Sequence, residues 1–511
     1  MMIENSTEQR SDIPSPITRL PSAMSGGFNG DAEKLAKDTY PEDEIETVQQ
    51  QTNSGSDTGD DDDENMRRPR TQSFWARDEA QRRRIPFAQR SLRITWGWFP
   101  VNMSTGAMAS VLAQQPYTFN GLTAIGTIFY VIDLVTFCIF TLLIAGRFIR
   151  KPRAFVTSLH HPSESFFFGS YWVSIALLIN GMQAYGVPHC GEWLIHTLRV
   201  VFWIYYGCAL VVAVFQYQVI FHAEIMSLSD AVPAWILPAY PFLVTGVMAS
   251  TLVQTQGQTS SVQMLIAGIA GQGLGWILAL FIYSVYLTRL ISSKMPPPSM
   301  RPGMYISVGP AAYTCAGILS LGRQAKENIP PGFLGITSFP VGDLWFGMSV
   351  PVALFLWLIA VWFSALSTLS VIRDARRMHF ALQWWAFVFP NAGLAIATIH
   401  IGEAVDSRGI KIAGAVITVL LVPLWFMCVI LHVRSVWRHD LLAPGKDMGV
   451  DDVNKTHDVK RQRAEERRKK KSIQESTRQG LRWRSPTWKS KSGGSSPGGC
   501  NGVEKQQQQE P

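Results

Sequence analysis

Apolar residues dominate ten successive stretches of the chain between residues 97 and 434. Each stretch has about 20 residues, the length that a helix needs to cross the hydrocarbon core of a bilayer. Gly, Ser, Thr, Asn or Pro residues interrupt the first, third, seventh and ninth of them. The pattern predicts an all-α integral membrane protein with ten transmembrane helices, at 97–114, 122–145, 164–184, 193–218, 233–254, 262–287, 303–322, 343–370, 380–400 and 412–434.

Charged residues make up 16% of the chain and apolar residues 47%, and the charges crowd into its two ends. A soluble domain as large as the middle would need a charged surface to stay dispersed, so lipid is the better solvent for it. Basic residues lie mostly between or after the apolar stretches, which argues against a nucleic-acid partner. We predict a disordered cytoplasmic N-terminal tail over 1–90, a ten-helix membrane domain over 91–440 and a disordered, basic cytoplasmic C-terminal tail over 441–511.

The loops that join the apolar stretches differ in their content of basic residues. Cytoplasmic loops of membrane proteins carry an excess of Lys and Arg. The excess favours a topology with both termini in the cytoplasm. On that assignment the inside loops hold Arg147, Arg150, Lys151, Arg153, Arg289, Lys294, Arg301, Arg373, Arg376 and Arg377, and the outside loops hold Arg323, Lys326, Arg408 and Lys411.

The odd-numbered stretches more often carry helix breakers and small polar residues, whereas the even-numbered ones are mostly long and apolar. Proline in a helix frees backbone carbonyls, which hydrocarbon leaves unsatisfied unless neighbours or water bind them. We therefore predict that the odd helices surround a central aqueous path and that the even helices face lipid. Close packing of helices through small residues is the alternative explanation.

Broken helices favour a path for anions, because their freed amide groups and helix N-termini supply partial positive charge. Side chains expected to line this path are Asn102, Ser104, Thr105, Thr245, Thr314 and Asn391. Arg199, Arg323 and Gln272 are candidates for a vestibule that concentrates anions, although Arg199 and Arg323 also fit basic side chains that reach the membrane interface. Asp133, inside the second stretch, is either functional or hydrogen-bonded to a neighbouring helix.

Signatures of other protein classes are missing from the sequence. Gly317 and Gly322 have the spacing of a phosphate loop, but Arg323-Gln324 follows them in place of Lys-Ser/Thr. The histidines do not have the helical spacing of a zinc enzyme, and no cofactor or metal is expected. A receptor of the commonest type has seven helices, which conflicts with ten.

Six separated segments of residues 90–440 resemble the fungal malic acid and C4-dicarboxylate transporters. These transporters belong to the superfamily of the bacterial tellurite-resistance protein and the plant slow anion channels. The segments that carry the resemblance are His161-Pro162-Ser163-Glu164, Pro233-Ala234-Trp235-Ile236-Leu237-Pro238, Gly271-Gln272-Gly273-Leu274-Gly275, Arg301-Pro302-Gly303-Met304-Tyr305-Ile306, Val308-Gly309-Pro310 and Trp384-Trp385-Ala386-Phe387-Val388-Phe389-Pro390-Asn391.

The resemblance implies five helical hairpins around a pore that a phenylalanine of the ninth helix closes. That role falls to Phe389, with Phe387 as the alternative register. It also implies a multi-pass homotrimer that transports malate, succinate and related anions rather than catalysing a reaction. Because no organelle-targeting signal is visible in the sequence, we expect the plasma membrane as its location. Sulfite efflux pumps share this fold and are the alternative, and a receptor without transport is the alternative of another class. Arg68-x-Arg70-x-x-Ser73 has the form of a basophilic kinase site, with an unmodified basic stretch beside the membrane as the alternative. Regulation of the plant relatives by phosphorylated tails adds support for Ser73 as a phosphorylation site.

Overall fold

A computed structural model of the chain describes residues 93–161, 164–223, 228–293, 295–438 and 441–442. The predicted tail over 1–90, including Ser73, and nearly all of 441–511 lie outside these residues. Within the described ranges every regular element is helical, which confirms the all-α prediction. Ten helical segments, α1 to α10, follow the order of the apolar stretches. Their bounds are Pro100–Ala113, Leu122–Arg150, Ser165–His189, Glu192–Ala223, Pro233–Val253, Gln258–Ser292, Pro298–Asn328, Val341–Asp374, Leu382–Ala404 and Arg408–Trp437.

Nine segments of the described chain, α2 to α10, are long and apolar enough to cross a membrane. The first segment, α1, has only 14 residues. At 1.5 Å per residue it extends about 21 Å, short of the roughly 30 Å of a hydrocarbon core. The prediction of membrane-spanning helices is therefore confirmed for nine elements, and the count of ten stays a prediction.

Burial separates the segments into an inner and an outer set. In their most apolar stretches, α3, α5, α7 and α9 have 72%, 94%, 89% and 94% of residues buried, against 17–33% for the even-numbered segments. The short α1 belongs to the inner set, because every residue from Asn102 to Leu112 is buried. Large apolar side chains on the even helices, such as Leu142 and Phe355, are exposed as lipid contact requires. This pattern confirms the predicted inner position of the odd helices.

Each inner segment enters its α-helix through a turn or more of 3₁₀-helix. These five entry segments are Trp96–Trp98, Ser165–Phe167, Pro233–Ala239, Pro298–Ser307 and Leu382–Phe387. Proline accounts for two of them, since Pro238 and Pro302 lie inside the segment and lack the N–H that an α-helix needs there. Three of the sequence segments that carry the family resemblance coincide with these entries, so those motifs build one end of the inner bundle.

An ion pair fixes the start of α3 against the end of α2. The Arg147 guanidinium donates to Glu164 at 2.7 Å and to the backbone carbonyl of Ile94 at 2.8 Å. Both side chains of the pair are largely buried, so each charge needs the other. Arg147 therefore has a structural partner in addition to the topological role that its loop position predicts.

Candidate functional site

The five inner segments enclose a small cavity at the end where their 3₁₀ entries lie, here named the aromatic cavity. Its volume is ≈ 20 Å³, which is enough for about one water molecule. Its wall is almost wholly apolar, and the side chains on it include Met103, Ser170, Leu237, Tyr240, Ile306, Trp385 and Phe389. A space this narrow and apolar excludes a hydrated anion.

Phe389 forms part of the wall of the aromatic cavity, where α9 begins. Its ring stacks on Tyr313 of α7 with centroids 4.8 Å apart and lies 5.7 Å from Tyr240 of α5. Phe387 points elsewhere, because its ring packs against Tyr305 at 5.3 Å and Trp384 at 5.6 Å. Of the two phenylalanines that the sequence offers as a gate, the one beside the cavity is Phe389.

Ser170 contributes one of the few polar groups on the wall of the aromatic cavity. Its side chain is fully buried, and its oxygen has no hydrogen-bond partner. The α-helices that follow the 3₁₀ entries also direct their N-termini toward this end of the bundle, where helix dipoles place partial positive charge. The cavity thus combines apolar walls with a weakly positive potential and a free hydroxyl donor.

A second cavity, here named the polar vestibule, lies at the opposite end of the inner bundle. On the inner helices its residues come about ten positions after those of the aromatic cavity, which corresponds to about 15 Å. Its volume is ≈ 650 Å³, room for a small organic anion with its water. The polar side chains on its wall are Ser110, Gln114, Gln115, Thr118, Thr123, Asn180, Gln183, Tyr185, Ser250, Thr251, Gln254, Thr255, Ser320, Arg323, Gln324, His400 and Glu403.

Three of the side chains that we expected along the path instead join α1 to its neighbours. Asn102 donates to Asp133 Oδ1 at 3.0 Å and to Thr136 at 2.9 Å on α2, whereas Ser104 donates to the Trp385 carbonyl at 2.9 Å. Thr105 accepts a hydrogen bond of 3.1 Å from the indole of Trp425 on α10. Since all three are buried away from both cavities, the structure does not place them where the sequence predicted.

Thr245, Thr314 and Gln272 form a second group of helix contacts. Gln272 of α6 accepts from the Gly246 amide at 3.1 Å and donates to Thr314 of α7 at 2.9 Å. Thr245 donates to the Phe242 carbonyl at 2.7 Å, beside the break of α5 at Val244. The backbone groups freed by this break are thus satisfied by side chains. Gln272 is completely buried between three helices, which corrects its predicted place in a vestibule.

Gln272 joins α5 to α7 through its hydrogen bonds to Gly246 and Thr314, an arrangement here named the Gln272 clamp. Replacing Gln272 tests whether this clamp stabilises the fold. We expect Gln272→Leu to lower the free energy of unfolding by about 2 kcal/mol, because it leaves the buried Gly246 amide without an acceptor. The thermal midpoint of the detergent-solubilised protein measures the loss. Gln254→Leu is the matched control, since Gln254 is exposed on the vestibule wall. Equal midpoints for the two variants would show that the clamp does not stabilise the fold.

The remaining predicted residues fall at different places. Asn391 donates to the Phe387 carbonyl at 3.0 Å and accepts from Ser364 of α8 at 3.2 Å, so it also serves a helix contact. Arg199 lies on the outer helix α4, where it donates to Ser260 at 3.3 Å. Arg323 lies on the wall of the polar vestibule. Of the two arginines proposed for a vestibule, the structure brings one to it.

The chain matches a known protein family over most of the described helices. The family profile SLAC1, described as voltage-dependent anion channel, matches residues 93–433 of the chain, which is well over half of its length. The chain belongs to the SLAC1 family of anion channels. This assignment confirms the resemblance that the sequence motifs carry, and it places the chain among transport proteins rather than enzymes.

The relatives of this SLAC1-family chain include transporters of different anions. The malic acid transport protein of Schizosaccharomyces pombe is 33% identical over 366 residues, which cover 71% of this chain and 83% of that protein. A putative malic acid transport protein of the same organism is 31% identical, with 72% and 86% covered. The sulfite efflux pump of Trichophyton rubrum is 28% identical, with 65% and 88% covered.

The wall of the SLAC1-family cavities includes residues that the sequence did not single out. Tyr240 and Ser170 at the narrow end, and the amides of Asn180 and Gln183 at the wide end, are examples. The signal for the second group was present, because polar side chains cluster at the last turns of the odd-numbered helices. For the first group the sequence gives no comparable signal, since buried aromatic residues are ordinary in a helical core.

Proposed function

We propose that the protein transports malate and other C4-dicarboxylates through the path between its inner helices, with Phe389 as the gate. The observation that carries this proposal is the position of the stacked Phe389–Tyr313 pair beside a cavity of ≈ 20 Å³, on the path toward a vestibule of ≈ 650 Å³. All five inner helices contribute to both cavities. The two relatives with more than 30% identity are described as malic acid transport proteins or as putative ones.

The chemistry of the two cavities suits a small dianion. Neutral amides and hydroxyls dominate the vestibule, so an anion that loses part of its hydration shell finds hydrogen-bond donors there. The Ser110 hydroxyl is buried on this wall without a protein partner and can donate to such an anion. At the narrow end, helix N-termini and the Ser170 hydroxyl supply positive potential without the strong binding of a fixed cation.

The cellular setting completes the proposal. In this proposal the protein lies in the plasma membrane with both termini in the cytoplasm, and it assembles as a homotrimer. On this topology the aromatic cavity faces the cytoplasm, on the side of the basic loops around Arg147 and Arg373, and the polar vestibule faces outward. Cysteine accessibility at exposed loop positions such as Leu334 and Arg376 reports the orientation, and native mass measurement in detergent reports the subunit number.

Sulfite efflux is the second candidate function, because sulfite efflux pumps are 26–28% identical to the chain over 338 residues. Sulfite is smaller than malate and is also an oxyanion, so the neutral donors of the vestibule suit either anion. The size and polarity of the cavities therefore leave the choice between the two substrates to experiment.

Anion currents in oocytes decide between the substrates. We expect the natural chain to carry a malate current at least about threefold larger than its sulfite current at equal concentration and potential, because the relatives with more than 30% identity are described as malic acid transport proteins and the vestibule has room for a C4 dianion. Water-injected oocytes provide the background, and surface labelling confirms that the protein reaches the membrane. A sulfite current without a malate current would reject the dicarboxylate proposal in favour of sulfite.

A further inference from the structure

One ion pair lies on the wall of the polar vestibule. Arg323, near the end of α7, donates to a carboxylate oxygen of Glu403 at 2.6 Å, near the end of α9. The side chains keep 40% and 28% of their surface exposed. The pair therefore faces the space through which a transported anion passes, and water or a solute reaches both partners.

These two side chains dominate the charge of the vestibule. Besides the pair, two ionisable residues lie on its wall. They are His400, whose ring nitrogen lies 3.3 Å from the Ala316 carbonyl, and Tyr185, whose hydroxyl donates to the Ala109 carbonyl at 2.7 Å. The other polar residues there are neutral amides and hydroxyls. A carboxylate on the wall of an anion path repels the solute and also cancels the attraction of the nearby guanidinium.

We infer that Glu403 is an exchangeable counter-ion, which the carboxylate of an arriving anion displaces from Arg323. This inference rests on the proposed transport of dicarboxylates and adds the site at which the substrate first binds. A guanidinium pairs with any carboxylate, so a substrate carboxylate can reproduce the single contact from Arg323 Nη1 to Glu403 Oε2 that it replaces. Because the pair is partly exposed, its breakage costs little.

The exchange explains how the vestibule attracts anions without trapping them. While Glu403 is paired with Arg323, the guanidinium does not bind an anion tightly. When the substrate leaves, Glu403 pairs with Arg323 again, which completes the release. A dicarboxylate has a second carboxylate that meets the neutral donors nearby, such as Gln324 and Asn180 on the same wall. Conduction needs a site that is favourable to enter and easy to leave.

A second ion pair on the same helix provides the control. Lys326 lies one turn beyond Arg323 and contacts Asp343 of α8 at 3.2 Å, with 56% and 48% of the side chains exposed. This pair is not part of the vestibule wall. Neutralising it changes the charge near the same end of the bundle without removing the competitor of a substrate.

The test measures the malate concentration that gives half-maximal current. We expect Glu403→Gln to lower it by about threefold and Arg323→Gln to raise it by a similar factor, since an exposed carboxylate–guanidinium contact has an effect of this size. Lys326→Gln and Asp343→Asn should leave it unchanged. If Glu403→Gln does not reach the membrane, Glu403→Ala removes the same carboxylate and carries the same expectation.

The outcomes separate this inference from the proposed function. A malate current in the natural chain together with an unchanged or higher half-maximal concentration in both Glu403 variants overturns the counter-ion role and leaves transport standing. An equal decrease in Asp343→Asn also overturns it, because the effect would then follow general surface charge. Absence of a malate current in a surface-expressed natural chain rejects the proposed function itself.

Discussion

Truncating the Phe389 ring is expected to raise the malate current of the protein by about tenfold at equal surface expression. In Phe389→Ala the stacked contact with Tyr313 disappears and the cavity of ≈ 20 Å³ gains the volume of a phenyl ring. A space that holds about one water then accepts several, so the apolar barrier to a hydrated anion falls. Steady-state current in oocytes, normalised to surface-labelled protein, measures the change.

Phe387→Ala is the matched control for this prediction. Phe387 is two residues away and is also almost completely buried, but its ring packs against Tyr305 and Trp384 outside the aromatic cavity. We expect this variant to lose stability, as any large-to-small change in a core does, without a gain in current. A current that rises in Phe387→Ala and not in Phe389→Ala would transfer the gate to the other register.

The inner and outer positions of the helices were predictable from the sequence for a physical reason. Hydrocarbon cannot satisfy the backbone groups that Pro and Gly free, so segments with many such residues must lie against protein or water. The segment around Pro238 and Pro241 illustrates this, because 94% of the residues in the most apolar stretch of α5 are buried. The long apolar α2 shows the opposite case, because only 17% of the residues in its most apolar stretch are buried.

The side chains that face the path were not predictable in the same way. A polar side chain such as Asn102 or Thr105 pairs with the nearest hydrogen-bonding group when water is absent, and the sequence does not say which helix supplies that group. The 3₁₀ entries add a second difficulty. They turn by about 120° per residue against about 100° in an α-helix, so ten residues of Pro298–Ser307 shift the facing by about 200°.

Phe389 was assigned as the gate through the family resemblance rather than by helical periodicity. It lies beside the aromatic cavity, and its role as the gate stays a prediction. It is the first residue of the α-helical part of α9, and only Val388 separates it from the 3₁₀ segment that ends at Phe387. The change of helix type between them gives the two rings different environments. Periodicity alone cannot locate such a change of helix type. A family motif that includes both residues assigns each of them by its position in the motif, whatever the helix type.

Adding a single methyl group at Gly169 is expected to destabilise the packing of α3 against the 3₁₀ entry of α5. Gly169 of α3 lies directly against the backbone of Leu237 in the 3₁₀ entry of α5, and a Cβ there would be 2.6 Å from the Leu237 carbonyl carbon and closer still to its oxygen. Since the obstacle is backbone, no side-chain rotation relieves it. We expect Gly169→Ala to lose about 3 kcal/mol of stability, at the upper end of the cost of overpacking.

The thermal midpoint in detergent and the amount of protein at the cell surface measure this loss, and Gly207→Ala provides the comparison. Gly207 lies on the outer helix α4, where an added Cβ has no atom within 4 Å. Alanine there gains helix propensity, so the midpoint should stay or rise slightly. If Gly169→Ala matched Gly207→Ala, α3 and α5 would have to stand farther apart than described. The aromatic cavity would then be wider, and the case for Phe389 as its gate would weaken with it.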